Sequence, residues 1–133
     1  MALNGMVHVI DDDPIVRDSL SLLLAFLGYR TRAWPSGDLF LAEQPLGPSD
    51  IILVDMIMPG EDGLSVIQTL RNKKLFNPII LMTGDSSHGV ADWHSAENFT
   101  LLYKPFSKDK LQQAIHTAVT GNHNSIQPLC SAG

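Results

Sequence analysis

The sequence predicts a doubly wound α/β fold, a parallel sheet with helices on both faces. Four short apolar runs of strand length and one further extended candidate recur along the chain. Between most of them, apolar residues repeat at three and four positions, the spacing that puts side chains on one helical face. Strands that alternate with helices pair in parallel, because each crossover needs a helix and turns right-handed.

The first run, residues 7–10, is β-branched and stops at Asp11, Asp12 and Asp13. Asp13 is placed to cap the next helix, and Pro14 suits its first position, where a missing N–H does no harm. Val16, Leu20, Leu23, Leu24 and Leu27 then share a stripe that ends at Gly28. Residues 29–34 form a second extended run closed by Pro35. Ser36 caps a short helix through Leu39, Phe40 and Ala42, which Pro45, Gly47 and Pro48 end. The central run, residues 51–55, carries one acid, Asp55, to its carboxyl end, and a Pro59-Gly60 turn signal follows. The next helix turns Leu64, Ile67 and Leu70 inward, with Lys73 and Lys74 near its end to suit the helix dipole. Residues 79–82 are the fourth buried run, stopped by Thr83, Gly84 and Asp85. The pattern over 86–98 is weak. Residues 100–103 make a fifth strand ending at Lys104-Pro105, and Leu111, Ala114, Ile115, Ala118 and Val119 give the last helix its apolar stripe.

With 133 residues, 44% of them hydrophobic and 17% charged, the chain can enclose one real core without metal or disulfide staples. The expected unit spans 6–120, with 121–133 a flexible tail or the start of a linker. Net charge is -5 and the nine Lys and Arg are scattered, so no basic stripe is present to neutralise phosphates and direct nucleic-acid binding is not expected. The single Cys130 suits a reducing compartment. No segment reaches membrane-spanning length and no signal pattern opens the chain, so a cytoplasmic protein is expected. His8, His88, His94, His116 and His123 lack paired ligand spacing, which argues against zinc.

Four strands end in polar residues: Asp11 and Asp12, then Asp55, Thr83 and Lys104. Parallel strands bring these to one edge, beyond which open α/β sheets bind their ligands. Three gathered carboxylates repel one another unless a cation neutralises them, and hard oxygen ligands suit Mg²⁺. A lysine charge and a threonine hydroxyl complete a clamp for a phosphoryl group, with Asp55 as nucleophile. Glu61, Asp62 and Asp85 read as exposed loop acids, and Met56, Met58 and Met82 as packing or contact residues.

In order and spacing these residues resemble the receiver domain of two-component response regulators. The resemblance covers roughly 7–120. It rests on Val9-Ile10-Asp11-Asp12-Asp13, on Leu53-Val54-Asp55-Met56-Ile57-Met58-Pro59-Gly60 with Asp62-Gly63-Leu64, on Met82-Thr83-Gly84 and on Tyr103-Lys104-Pro105-Phe106. It implies a flavodoxin-like sheet of order 2-1-3-4-5. It implies that Asp55 accepts a phosphoryl group from a phosphohistidine on a sensor histidine kinase or phosphotransfer protein. By the same resemblance Asp12 binds Mg²⁺ directly and Asp11 largely through water, while Asp55 and the backbone carbonyl of Ile57 complete the protein ligands. Lys104 pairs with the phosphoryl oxygens, Thr83 hydrogen-bonds one of them, and Lys104-Pro105 is cis. The implied output is a switch in partner binding or a homodimer through the face of the fourth helix, fifth strand and fifth helix.

The sequence departs from the family pattern between Thr83 and Lys104. That stretch is short and carries Trp93, His94 and Asn98 without the usual Gly-Ala turn. Leu101 stands where the family has a switch aromatic, and Tyr103, on the same strand face, is the candidate to replace it. The competing reading is a Mg²⁺-dependent phosphatase or phosphotransferase. Ile57 occupies the second acid position of the Asp-x-Asp arrangement in haloacid-dehalogenase-like phosphatases, which favours the switch. A receiver that only docks is disfavoured by the complete set of five polar residues.

Overall fold

A computed structural model describes residues 5–43, 46–84 and 99–121. These residues form β1 (Met6–Ile10), α1 (Pro14–Phe26), β2 (Arg30–Trp34), α2 (Gly37–Glu43), β3 (Ile51–Asp55), α3 (Gly63–Asn72), β4 (Ile79–Thr83), β5 (Thr100–Tyr103) and a last helix, α4 (Lys108–Thr120). The weakly patterned stretch 86–98, where the resemblance implies a further helix, lies outside the described residues. So do Asp85, Trp93, His94 and the tail beyond Gly121.

All five strands are parallel, in the order β2-β1-β3-β4-β5 expected of the flavodoxin-like arrangement. Central β3 and β4 are buried along their whole length, which is why both read as unbroken apolar runs. Alternation divides their side chains between two cores. Val7, Val9, Leu53 and Met82 pack under α1 and α4 with Leu20, Leu24, Leu111 and Ile115. Ile10, Ile52, Val54 and Leu81 pack on the other face with Phe40, Val66, Ile67 and Leu70 of α2 and α3. Edge strand β2 buries only Trp34.

Local signals account for the helix starts. Asp13 caps α1 by accepting the Ile15 amide at 2.9 Å, with Pro14 in the first turn. The Ser36 hydroxyl accepts the Leu39 amide at 3.1 Å ahead of α2. Asp62, expected only as a loop acid, caps α3 by accepting the Ser65 amide at 2.9 Å. Two details differ from expectation. Helix α3 ends at Asn72, so Lys73 and Lys74 lie past it, Lys74 with a φ of 65°, and Arg71 is the basic residue of its last turn. Val119 is exposed, because the stripe of α4 is already filled by Leu111, Ala114, Ile115 and Ala118.

Gly63 is required by close approach. A Cβ there would stand 2.6 Å from the Asp55 carbonyl oxygen and 2.9 Å from the Met56 Cα. The start of α3 is thus pressed against the strand end that carries Asp55.

Candidate functional site

The carboxyl ends of β1, β3 and β4 and the turn after β5 converge on one edge of the sheet. Asp55 is the last residue of β3, in register with Met82, and is 8% exposed. Thr83, one step further along β4, is buried beside Tyr103, and its carbonyl accepts the Lys104 amide at 2.8 Å. The Lys104-Pro105 peptide is cis, as the resemblance implies. Lys104 Nζ donates to Asp55 Oδ1 at 2.9 Å and lies 3.9 Å from Asp11 Oδ2. Ligand oxygens of Asp11, Asp12 and Asp55 all fall within 4.8 Å of one another. Ile57, two residues beyond Asp55, turns its side chain outward and is 73% exposed.

Asp11 is the most deeply buried of the three acids, 1% exposed. Its Oδ1 accepts the Asp13 amide at 2.9 Å, whereas Oδ2 is buried without a hydrogen-bond partner. Burial pushes its carboxyl above the ordinary carboxylate value. The Asp13 amide pulls it down, the charge on Asp55 adds to the rise and Lys104 opposes it. A buried, unpartnered carboxylate oxygen facing two further carboxylates is a donor set that fits a divalent cation with oxygen preference. Sequence reasoning missed Arg17, which donates from Nη1 to the Asp11 carbonyl at 2.7 Å and ties the acidic turn to the second turn of α1. Its position on the helix carried no signal to separate it from a solvated charge.

The raised Asp11 value makes a prediction. The folded state holds the Asp11 proton more tightly than the unfolded chain, so this residue contributes stability below about pH 3.8 that is lost as pH rises through the folded value. At neutral pH its charge therefore costs stability. Asp11→Asn should raise the melting temperature of metal-free protein by about 2–5 °C and abolish the further rise produced by Mg²⁺. Paired thermal scans with chelator and with Mg²⁺ check both outcomes.

Known proteins identify the family to which this fold belongs. The family model of the response regulator receiver domain matches residues 7–116. The C4-dicarboxylate transport transcriptional regulatory protein DctR of Rhodobacter capsulatus is 31% identical over 123 residues, covering 90% of this chain and 62% of that protein. The tetrathionate response regulatory protein TtrR of Salmonella typhimurium is 33% identical over 115 residues, 86% of this chain and 56% of the relative. Among solved structures, FixJ-N superimposes with a TM-score of 0.78 at 26% identity, covering 90% of this chain and 96% of that one. Chemotaxis protein CheY4 of Vibrio cholerae gives 0.77 at 26%, covering 86% and 98%. The chain belongs to the response regulator receiver family of two-component systems. It spans 56% to 62% of the length of these two curated relatives.

Proposed function

We propose that this chain is a phosphorylation switch in which Asp55 accepts a phosphoryl group from the phosphohistidine of a sensor histidine kinase or phosphotransfer protein. The observation that carries the reading is the Lys104 ammonium 2.9 Å from Asp55 Oδ1, in a cluster where a second acid has a buried oxygen left without a partner. An Asp55 oxygen attacks phosphorus as the P–N bond breaks, and the donor imidazole leaves with the electron pair. Lys104 holds the charge that accumulates on the phosphoryl oxygens, and the Thr83 hydroxyl donates to one of them. Asp11, Asp12, Asp55 and the Ile57 carbonyl would hold Mg²⁺, with Asp11 acting chiefly through water. Bound Mg²⁺ supplies neutralisation of the gathered negative charge. The domain assists its own phosphorylation and dephosphorylation but acts as a switch, not as an enzyme with a separate substrate.

The unit spans 6–120 in this reading, with 121–133 as tail or linker, and it works in the cytoplasm without touching nucleic acid. Output runs through the face of β5 and α4, by partner binding or a homodimer. Leu101 is partly buried against the α2–α3 core, whereas Tyr103 is exposed at the strand end, which supports Tyr103 as the reporter residue.

The donor's docking surface follows from α1. Beside its inward stripe the helix carries Ile15, Leu22 and Phe26, each more than 70% exposed. An open apolar groove between α1 and the turn after β5 is lined by Ile15, Ser19, Leu23, Pro105 and Phe106 and reaches Lys104. A protein that brings a phosphohistidine to Asp55 covers this groove.

The test uses acetyl phosphate with Mg²⁺ and mass spectrometry. The wild-type chain gains one phosphoryl group and Asp55→Asn gains none; an equal gain in the variant overturns the assignment. Leu22→Asp combined with Phe26→Asp separates docking from chemistry. Transfer from a phosphohistidine protein should fall about 10-fold or more relative to transfer from acetyl phosphate. Equal losses with both donors would remove the docking role from α1.

A further inference from the structure

In the middle of β1, three residues before Asp11, the strand buries a histidine that the phosphorylation chemistry does not use. His8 is 1% exposed and faces the α2–α3 core. Trp34 Nε1 donates to its Nδ1 at 3.1 Å, and its Nε2 lies 2.7 Å from Asp50 Oδ2. An indole N–H only donates, so Nδ1 accepts and carries no proton. The proton of the neutral ring therefore sits on Nε2 and points at Asp50. Both partners together select one tautomer.

A second proton cannot enter without breaking this pattern. It would create an Nδ1–H directed at the Trp34 N–H, two donors 3.1 Å apart. The Asp50 contact survives that change and gains charge assistance. The Trp34 contact does not survive it. We propose that His8 and Trp34 form a proton-sensitive latch: the neutral imidazole closes it, and the imidazolium releases the Trp34 indole from β1 while remaining paired with Asp50.

The charged surroundings fit a latch governed by one proton. Asp50, from the loop ahead of β3, is the carboxylate on the ring. Burial pushes Asp50 up, but bonds from His8 and from the Gly47 and Met6 amides outweigh it and hold the carboxyl below its ordinary value. Its charge is thus constant where an imidazole titrates. From β2, the Arg32 guanidinium lies 4.4 Å from the Trp34 ring centroid, and Glu43 of α2 pairs with Arg32 at 3.4 Å. Phe40 of α2 meets the imidazole edge-on, with centroids 5.5 Å apart, and Ile52 is its apolar neighbour in β3. Trp34 also has a second attachment, since its carbonyl accepts the Asp11 amide at 3.2 Å. With the latch open, Trp34 is held to the acidic turn by this backbone bond, without the tie of its indole to β1.

The experiment follows His8 ring and tryptophan indole resonances of the full chain by NMR from about pH 8 to 5, the range in which imidazoles ordinarily change charge. At the upper end His8 should show the Nε2–H tautomer. On acidification one indole N–H resonance should shift with the same midpoint as the His8 ring, and Trp93→Phe assigns it to Trp34. In His8→Gln, whose amide can accept from Trp34 and donate to Asp50 without titrating, that shift should be lost. The latch is overturned if His8 keeps one ring state throughout, if the Trp34 indole stays still while His8 titrates, or if the shift persists in His8→Gln. Should that variant fail to fold, the wild-type resonances alone decide between these outcomes.

Discussion

Lys104→Ala is expected to slow phosphorylation of Asp55 by acetyl phosphate roughly 10²–10³-fold, the usual cost of removing one preorganised charge from a site where negative charge develops. Lys104 is the cation in contact with Asp55 among the described residues, at 2.9 Å, and it also stands 3.9 Å from Asp11 Oδ2. The same substitution should tighten Mg²⁺ binding, because the carboxylates lose an internal counter-charge and the divalent ion meets less competition. A slower transfer with tighter metal binding is a pattern that simple loss of structure would not produce. Lys104→Arg should rescue the rate only partly, since a planar, forked guanidinium cannot replace a compact ammonium at the same point. Rates by mass spectrometry and Mg²⁺ affinities by titration check the pair of effects. A rate within fivefold of wild type would remove Lys104 from the transfer step.

The sheet was legible because its signal is redundant. Unbroken apolar runs at β3 and β4, a capping Asp13 with Pro14, and punctuation after each strand all point to the same parallel arrangement, and none of them depends on distant contacts. Placement of Asp11, Asp12, Asp55, Thr83 and Lys104 at one edge followed from topology once the strands were recognised. The parts that sequence left open are those decided by tertiary partners. Asp62 looks like any loop acid until α3 is seen to begin beside it. Arg17 is an ordinary helix charge until the Asp11 carbonyl comes within its reach. His8 offered the stronger clue, because an imidazole inside a buried strand must find hydrogen-bond partners. Those partners, Trp34 and Asp50, are 26 and 42 positions away, and no local pattern could have named them.

Loss of Asp50 should also cost the fold heavily, because three donors end on its carboxylate. Its Oδ1 accepts the Met6 amide at 3.0 Å, and its Oδ2 accepts from His8 at 2.7 Å and from the Gly47 amide at 3.0 Å. Asn77 fastens the same loop by donating to the Gly47 and Asp50 carbonyls at 2.9 and 3.0 Å. Asp50→Ala would strand three donors at the start of β1 and ahead of β3, where little water can replace the carboxylate. The expected cost at neutral pH is about 3–5 kcal/mol, from three donors left unsatisfied at about 1–3 kcal/mol each, and roughly 10 °C or more in melting temperature. The pH dependence fixes the origin of that cost. Because the folded carboxyl is held below 3.8, the native state binds fewer protons than the unfolded chain. The contribution of Asp50's own ionisation is therefore present above its ordinary value of 3.8 and is lost as pH falls through the depressed folded value. Urea unfolding of wild type and Asp50→Ala at successive pH values should show a gap that collapses once pH falls through that point. A gap under 1 kcal/mol at neutral pH, or one that persists unchanged once Asp50 is protonated, would show that the three donors find other partners.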